Sequence, residues 1–390
     1  MKPHRTRLFS FSWRFLLVAG LLAASAIAQE EKPQETRRSE TLAPGIEHLE
    51  IRRGDFTTEA ERERWIIHAL ILDPQRARLT LARALDEIVG AETTSSLAAR
   101  HSALAAINGG YFRTTGTYRG EPNGLLAMNG KLLSEPVGHR AGLAVANIGG
   151  QTRAIIARFD FKAEIKVAGR YQHVISGFNR PREENELIVF TPEFHRTTLT
   201  KPDGIEVVVS KGRVMAVRDR VGSQPIPTRG YVISASGAAR QWARTHLRRG
   251  THVVIRSQVV ADPPLPFAAD FIIGAGPQLV KDNQFVRATD EKHSDDLIRQ
   301  RHPRTAIGIR RDGRLVLVTV DGRQPKKSVG MTIKELAALM IELECRDALN
   351  LDGGGSTAMV IKNRVVNNPS DQAGERPVSD ALLVYQRRER

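Results

Sequence analysis

With one cysteine, Cys345, in 390 residues, the chain can form neither an intrachain disulfide nor a metal cage of thiolates. That cysteine follows an apolar helical stretch and reads as a buried small hydrophobe. Aromatic residues are only 5% of the chain, and helix-turn-helix, zinc-finger and RNA-recognition patterns are all missing. Nucleic-acid binding therefore has no motif to rest on. The eleven histidines, His101, His139, His195, His293 and His302 among them, show no H-x-x-x-H or H-E-x-x-H spacing, which argues against zinc. No apolar run beyond residue 28 is long enough for a bilayer span of ~20 residues.

Charge of one sign is plentiful. The net charge is +15, which attracts polyanions such as phosphorylated glycans. Lys2, Arg5, Arg7 and Arg14 precede an apolar run from Phe15 to Ala28, and Ala26-Ile27-Ala28 has the small-x-small form of a cleavage site. Residues 1–28 are expected to be a signal peptide cleaved near Ala28, sending the protein to the periplasm or beyond. The stretch has no counterpart as a stable membrane span in the rest of the chain. Residues 29–44, with "QEEKPQETRRSE", are polar and aperiodic and read as a disordered linker.

Residues 45–100 are expected to supply N-terminal strands and a helix that pack on a catalytic domain over 101–388. "RWIIHALILD" and "ARLTLARAL" read as two strands paired across a Pro-containing turn. "ALAAI" is a buried strand running into "NGGYF". Near the C-terminus "RLVLVTV" is a strand ending in "DGR", and "MTIKELAALMIEL" a helix opened by a Thr332/Glu335 capping box. "DALNL" is then a strand ending in "DGGGST". Strand, helix and strand make a βαβ unit with parallel strands. The fold class is α+β or mixed α/β: a mixed sheet with a C-terminal βαβ unit, whose Gly-rich strand-end loops form the site.

In such a unit both strands present their carboxyl ends at one sheet edge, where ligands of open α/β sheets bind. Asp321 and Asp352 sit at those ends, and Asn108-Gly109-Gly110 follows a third strand. The triplet Gly353-Gly354-Gly355 lets backbone N–H groups face something small and negative. A P-loop is not expected because no lysine follows the glycines, and the missing last glycine of "GGSTA" counts against a nucleophile elbow. Paired carboxylates suit glycoside cleavage, and Arg304 and Arg323 suit bidentate phosphate binding. Asp and Asn oxygens of this cluster could also hold calcium or magnesium; the metal assignment stays open.

The blocks "AAINGGYF", "GAGPQLVKDN", "HPRTAIGI", "LVTVDGRQ", "GMTIKELAALM", "DALNLDGGGSTAMV" and "NPSDQAGERPVSDALLVY" together resemble the phosphodiester glycosidase family across residues 100–386. The resemblance implies a hydrolase that cleaves sugar-1-phosphodiester bonds in a glycan or exopolysaccharide. It implies Asp352, Asp321 and Glu375 as catalytic candidates. It implies Asn108, Gly109, Gly110, Arg304, Arg323, Asn350, Gly353, Gly354, Gly355, Ser356, Thr357, Arg376 and Asp380 as substrate-binding ones. The rival expectation is a non-catalytic glycan- or polyanion-binding protein of exopolysaccharide or cell-wall assembly.

Overall fold

A computed structural model describes Met1 and residues 34–57, 63–287 and 291–387; the stretch read as a signal peptide lies outside them, save Met1. Two antiparallel sheets carry the candidate site. The larger has eight strands in the order Glu35–Ala43, Ile46–Arg53, Trp65–Leu72, Leu315–Val320, Arg304–Arg310, Cys345–Asn350, Gln278–Lys281 and Gln284–Phe285. The smaller has five: Arg364–Val365, Met359–Ile361, Ala105–Asn108, Asp380–Gln386 and Ala77–Arg83.

Alternation along the strands explains the layering, because successive side chains point to opposite faces. In the larger sheet Ile307, Ile309, Leu315, Leu317 and Leu349 join Leu79, Ile107 and Leu382 of the smaller sheet in one core. Their neighbours Ala306, Val316, Val318, Val320 and Ala348 face the other way, onto Leu336, Ala337 and Met340 of the helix Ile333–Glu342. The larger sheet is thus covered on one face by strands and on the other by a helix. That helix starts where the sequence indicates: Thr332 Oγ1 accepts from the Glu335 N–H and Glu335 answers on the Thr332 N–H. Cys345 is buried beneath it, and burial pushes its thiol up to about 12.

Three expectations need correction. The helix joins Leu315–Val320 to Cys345–Asn350, and these two strands run parallel, but they are not neighbours. Arg304–Arg310 lies between them, antiparallel to both. Trp65–Leu72 and Ala77–Arg83 do not pair with each other but enter different sheets, so residues 45–100 are built into the fold rather than packed onto it. Finally, Glu35–Ala43 is no linker: it pairs antiparallel with Ile46–Arg53. As an edge strand exposed on both faces, it needs no apolar alternation and is held by its ladder and by ion pairs from Arg53 to Glu35 and from Arg37 to Glu342.

A seven-stranded sheet that includes the long strand Gln151–Val167 and a five-stranded sheet that includes Ile205–Ser210 make up much of the middle of the chain. Leu143, Val145, Phe271 and Ile273 of the former reach into the core between the two sheets described above.

Candidate functional site

Because Arg304–Arg310 runs opposite to its neighbours, its first residue lies at the same sheet edge as the last residues of the two parallel strands. Arg304 pairs with Val320, and Ala306 with Asn350. The smaller sheet brings a third strand end to that edge. Asn108 is fully buried; its Nδ2 donates to the Asp352 carbonyl at 2.7 Å, and its Oδ1 accepts from Thr305 Oγ1 and the Ala358 N–H. The Asp352 N–H donates to the Gly109 carbonyl. Asn108 is therefore a rivet between strands, not a group that orients substrate.

At the junction lies a hollow of about 240 Å³, lined among others by Tyr111, Asp296, His302, Arg304, Arg323, Asn350, Asp352, Gly353–Gly355 and Arg376. Asp352 is the carboxyl that defines it. Burial pushes its pKa up to about 6, while the Ser356 hydroxyl, the Gly353 N–H and Arg376 pull it back and Asp380 pushes it further up. Burial dominates because the nearby donors are few: of its hydrogen bonds only the one from its own Gly353 N–H, at 2.9 Å, has ordinary geometry.

Three arginines line the same hollow, and the charge of Arg376 acts on that carboxyl. Arg304 is buried, and burial lowers its pKa to about 10. Its Nε donates to the Met331 carbonyl and one Nη to the Leu297 and Gln300 carbonyls, which ties the helix Asp295–Arg299 to the sheet edge. Arg376 is held bidentately by Asp371, at 2.7 and 3.0 Å. Arg323 is exposed and makes a 3.1 Å contact with His302 Nδ1, whose Nε2 lies 3.1 Å from Asp296 Oδ2. A guanidinium can only donate, so Nδ1 is the acceptor and Nε2 carries the proton given to Asp296.

The glycine triplet has separate reasons at its positions. Gly354 holds φ +61°, a left-handed conformation costly for other residues. At Gly355 a Cβ would collide with the Arg376–Asp371 pair. The amides are less available than expected. Gly353 N–H donates to Asp352 Oδ1 and Gly354 N–H to the Pro303 carbonyl, leaving only that of Gly355 without a protein acceptor among the described residues.

Asn350 lines the hollow through its fixed amide: Nδ2 donates to Tyr111 Oη at 2.8 Å and to the carbonyls of Gly276 and Leu351. Tyr111 Oη in turn donates to the Gly276 carbonyl at 2.6 Å, and burial raises its pKa. Asn350 Oδ1 and Ser356 Oγ are buried without a hydrogen-bond partner of ordinary geometry.

Several predicted residues stand around the hollow rather than in it. Asp321 is buried, with Oδ1 accepting from the Asn368 N–H and Asn367 Nδ2 and Oδ2 from Asn368 Nδ2; it fastens the 366–369 loop, and a catalytic role does not fit. Glu375 is corrected likewise: it accepts from the Ser95 N–H and Ser95 Oγ, bracing the start of the helix Thr94–Arg100. Asp380 is buried and accepts from the Gly110 N–H and Ser379 Oγ. Gly109 must lack a Cβ because Asp380 Oδ1 occupies its place. Thr357 is buried, its carbonyl bonded to Asn367. Among the described residues no group of three or more His, Cys, Asp or Glu is placed to hold a metal ion.

Sequence reasoning left Tyr111, Asp296 and His302 out of its site list. Tyr111 stood inside the quoted "NGGYF" block and His302 two residues before Arg304, so closeness to a predicted strand end was the available signal.

Residues 203–385 match the family model described as phosphodiester glycosidase. An SPbeta prophage-derived uncharacterized protein of Bacillus subtilis (strain 168) is 38% identical over 124 residues, covering 30% of this chain and 19% of its own length. The N-acetylglucosamine-1-phosphodiester alpha-N-acetylglucosaminidase of Mus musculus is 26% identical over 176 residues, 41% of this chain and 34% of that one. The chain thus matches only about a third or less of these curated relatives. Among solved structures, a candidate exported protein of Burkholderia pseudomallei K96243 superposes with a TM-score of 0.78 at 25% identity, covering 90% of this chain and 96% of that one.

Proposed function

We propose that this chain, whose residues 203–385 match the phosphodiester glycosidase family model, hydrolyses the bond between the anomeric carbon of a terminal sugar and a phosphodiester, with the hollow at Asp352 as the active site. One observation carries the reading: a carboxyl with a pKa raised to about 6 shares a small hollow with Arg304, Arg323 and Arg376.

Breaking the C1–O bond generates oxocarbenium character at C1 and a phosphate monoester as leaving group. That monoester has a second pKa of ~6 and departs without strong acid help. The demands are then two: negative charge near C1 and positive charge around the phosphate. Ionised Asp352 meets the first, as nucleophile or as the base that takes a proton from the attacking water. Arg323 and Arg376, with Arg304 behind them, meet the second, assisted by the Gly355 N–H. At about 240 Å³ the hollow falls below the ~300–1,000 Å³ of pockets that bury drug-sized ligands, which suits one sugar and its phosphate at a chain end rather than a run of polymer.

The glycan would be met outside the cytoplasm if residues 1–28 act as an export signal; among the described residues no helix is long and apolar enough to cross a membrane. Incubating the purified protein with a panel of sugar-1-phosphodiesters, with and without chelator, tests the activity. Release of free sugar and phosphate monoester from one of them, lost in Asp352→Asn, is the expected result. Binding without product across the panel would make the hollow a non-catalytic glycan site.

A further inference from the structure

Arg323 is exposed just beyond the Leu315–Val320 strand, where an arginine side chain would ordinarily sweep through solvent. Three features instead aim it at the hollow. Its backbone holds φ +59°, a left-handed conformation uncommon for a residue with a side chain and concentrated at functional sites. Its Nη2 donates to His302 Nδ1 at 3.1 Å. A Cβ on Gly354 would stand only 3.1 Å from that Nη2 and 3.3 Å from Nη1, so the guanidinium rests against the glycine triplet where a larger residue would push it away.

His302 is itself held from two sides. Its N–H donates to the Met331 carbonyl and its carbonyl accepts from the Met331 N–H, while its ring Nε2 donates to Asp296 Oδ2 at 3.1 Å. Asp296 belongs to the helix Asp295–Arg299, where the Leu297 carbonyl and, just beyond, the Gln300 carbonyl accept from buried Arg304. A line of support thus runs from Arg304 through that helix to Asp296, then to His302 and Arg323. All four residues line the hollow.

The chemistry of the contact suits a phosphate. A carboxylate in the place of the imidazole would fix the guanidinium and neutralise it together. The ring fixes it as a neutral acceptor, with the Asp296 carboxylate one ring away, so the positive charge stays directed at an incoming anion. Asp296, by accepting at Nε2, holds the ring in the tautomer whose Nδ1 is bare. We propose that His302 is a positioning residue for the leaving phosphate: it aims Arg323, and Asp296 keeps it in the tautomer able to do so. This role rests on the hydrolase reading above. Because charge grows on the phosphate as the C1–O bond breaks, a well-aimed Arg323 lowers the barrier more than it tightens ground-state binding.

Two substitutions of the full chain separate the ring nitrogens, because an asparagine oxygen reaches the place of Nδ1 and a glutamine amide the place of Nε2. With a phosphodiester that the wild type cleaves, His302→Gln should lower kcat/KM about tenfold or more, chiefly through kcat. His302→Asn keeps the acceptor facing Arg323 and should lose less than about threefold. In an Arg323→Ala background His302→Gln should cost less than about twofold more, since nothing is left to aim. Long-range proton–nitrogen NMR spectra, with His302 assigned by its loss in His302→Asn, should show the Nε2–H tautomer, and Asp296→Asn should weaken that preference. Equal losses in His302→Gln and His302→Asn, full additivity with Arg323→Ala, or an Nδ1–H tautomer would each overturn the proposal.

Cleavage of no phosphodiester in the panel would sink the hydrolase reading alone. Calorimetric titration with inorganic phosphate then decides the positioning role. His302→Gln should weaken phosphate binding about fivefold or more and His302→Asn clearly less. Equal affinity in wild type and His302→Gln, or no binding by the wild type, would overturn it.

Discussion

Asp321 follows Leu315–Val320, and Asp352 follows Cys345–Asn350 by one further residue; both strands flank Arg304–Arg310 and end at one sheet edge. Both carboxyls have their pKa raised by burial. They differ in what comes back to meet them. Asp321 receives three N–H donors from Asn367 and Asn368, so its charge is matched and it holds a loop. Asp352 receives one N–H of ordinary geometry, from the next residue, and lines a hollow together with Arg304, Arg323 and Arg376. Topology delivers an acid to the edge; the loop that returns to it decides whether the acid builds or reacts.

The sharpest way to break that contrast is Asp352→Asn. Turnover of the phosphodiester should fall by roughly 10³-fold or more, the scale seen when a reacting group is removed. Stability should move the other way. A carboxylate whose pKa is raised by folding destabilises the native state above its folded pKa, and that penalty vanishes below the unfolded one. With the folded value about 6 against an ordinary 3.8, Asn should stabilise the protein at pH 7 by about 1–3 kcal/mol. Thermal melts at pH 7 and pH 4 check this: the gain is present at the first and mostly gone at the second. A loss of stability at pH 7 would mean that Asp352 is as well matched as Asp321.

Asp321→Ala should give the mirror image. Three donors lose their acceptor in a buried place, and leaving buried groups unpaired costs about 1–3 kcal/mol each before relaxation; a net loss of roughly 2–4 kcal/mol in urea unfolding is expected. Turnover per folded molecule should stay within about twofold to fivefold, since the residue does not line the hollow. A collapse of kcat in fully folded protein would return Asp321 to the chemistry.

The pH profile sharpens the comparison with a smaller effect. If ionised Asp352 acts at C1, kcat/KM should fall about tenfold per unit as pH drops below about 6, following the raised carboxyl. A rate that holds down to pH 4.5 would assign the task to a carboxylate of ordinary pKa.

The convergence of the 108, 321 and 352 segments could be read in advance because it follows from strand ends and crossover direction. The helix Ile333–Glu342 was legible through its capping box and apolar stripe. Roles within the cluster were not. Asp321 and Asp352 look alike in sequence, and the asparagines that distinguish them lie some 46 residues beyond the first. The amides of Gly353 and Gly354 looked free until Pro303 and the Asp352 side chain were seen to take them. The helix Asp295–Arg299, which walls the hollow, is too short for a periodic signal and is held by Arg304 from another strand. The Glu35–Ala43 strand was hidden because an exposed edge carries the same polar composition as a linker.

Glu375 offers the finest test of how loops decide an acid's use. Its carboxylate takes the Ser95 N–H at 2.8 Å and Ser95 Oγ at 2.6 Å at the start of the helix Thr94–Arg100, where a negative charge meets the positive end of the helix dipole. Its neighbour Arg376 enters the hollow, so the same loop presents one charged residue to a helix and the next to the site. Glu375→Gln keeps an acceptor and removes the charge, and should cost only about 0.5–1 kcal/mol in a thermal melt. Through a slightly looser 371–376 loop, KM should rise by about twofold with kcat unchanged. A steep fall in kcat at constant KM, with a shifted acid limb in the pH profile, would show Glu375 handling a proton and would reverse the structural role given to it here.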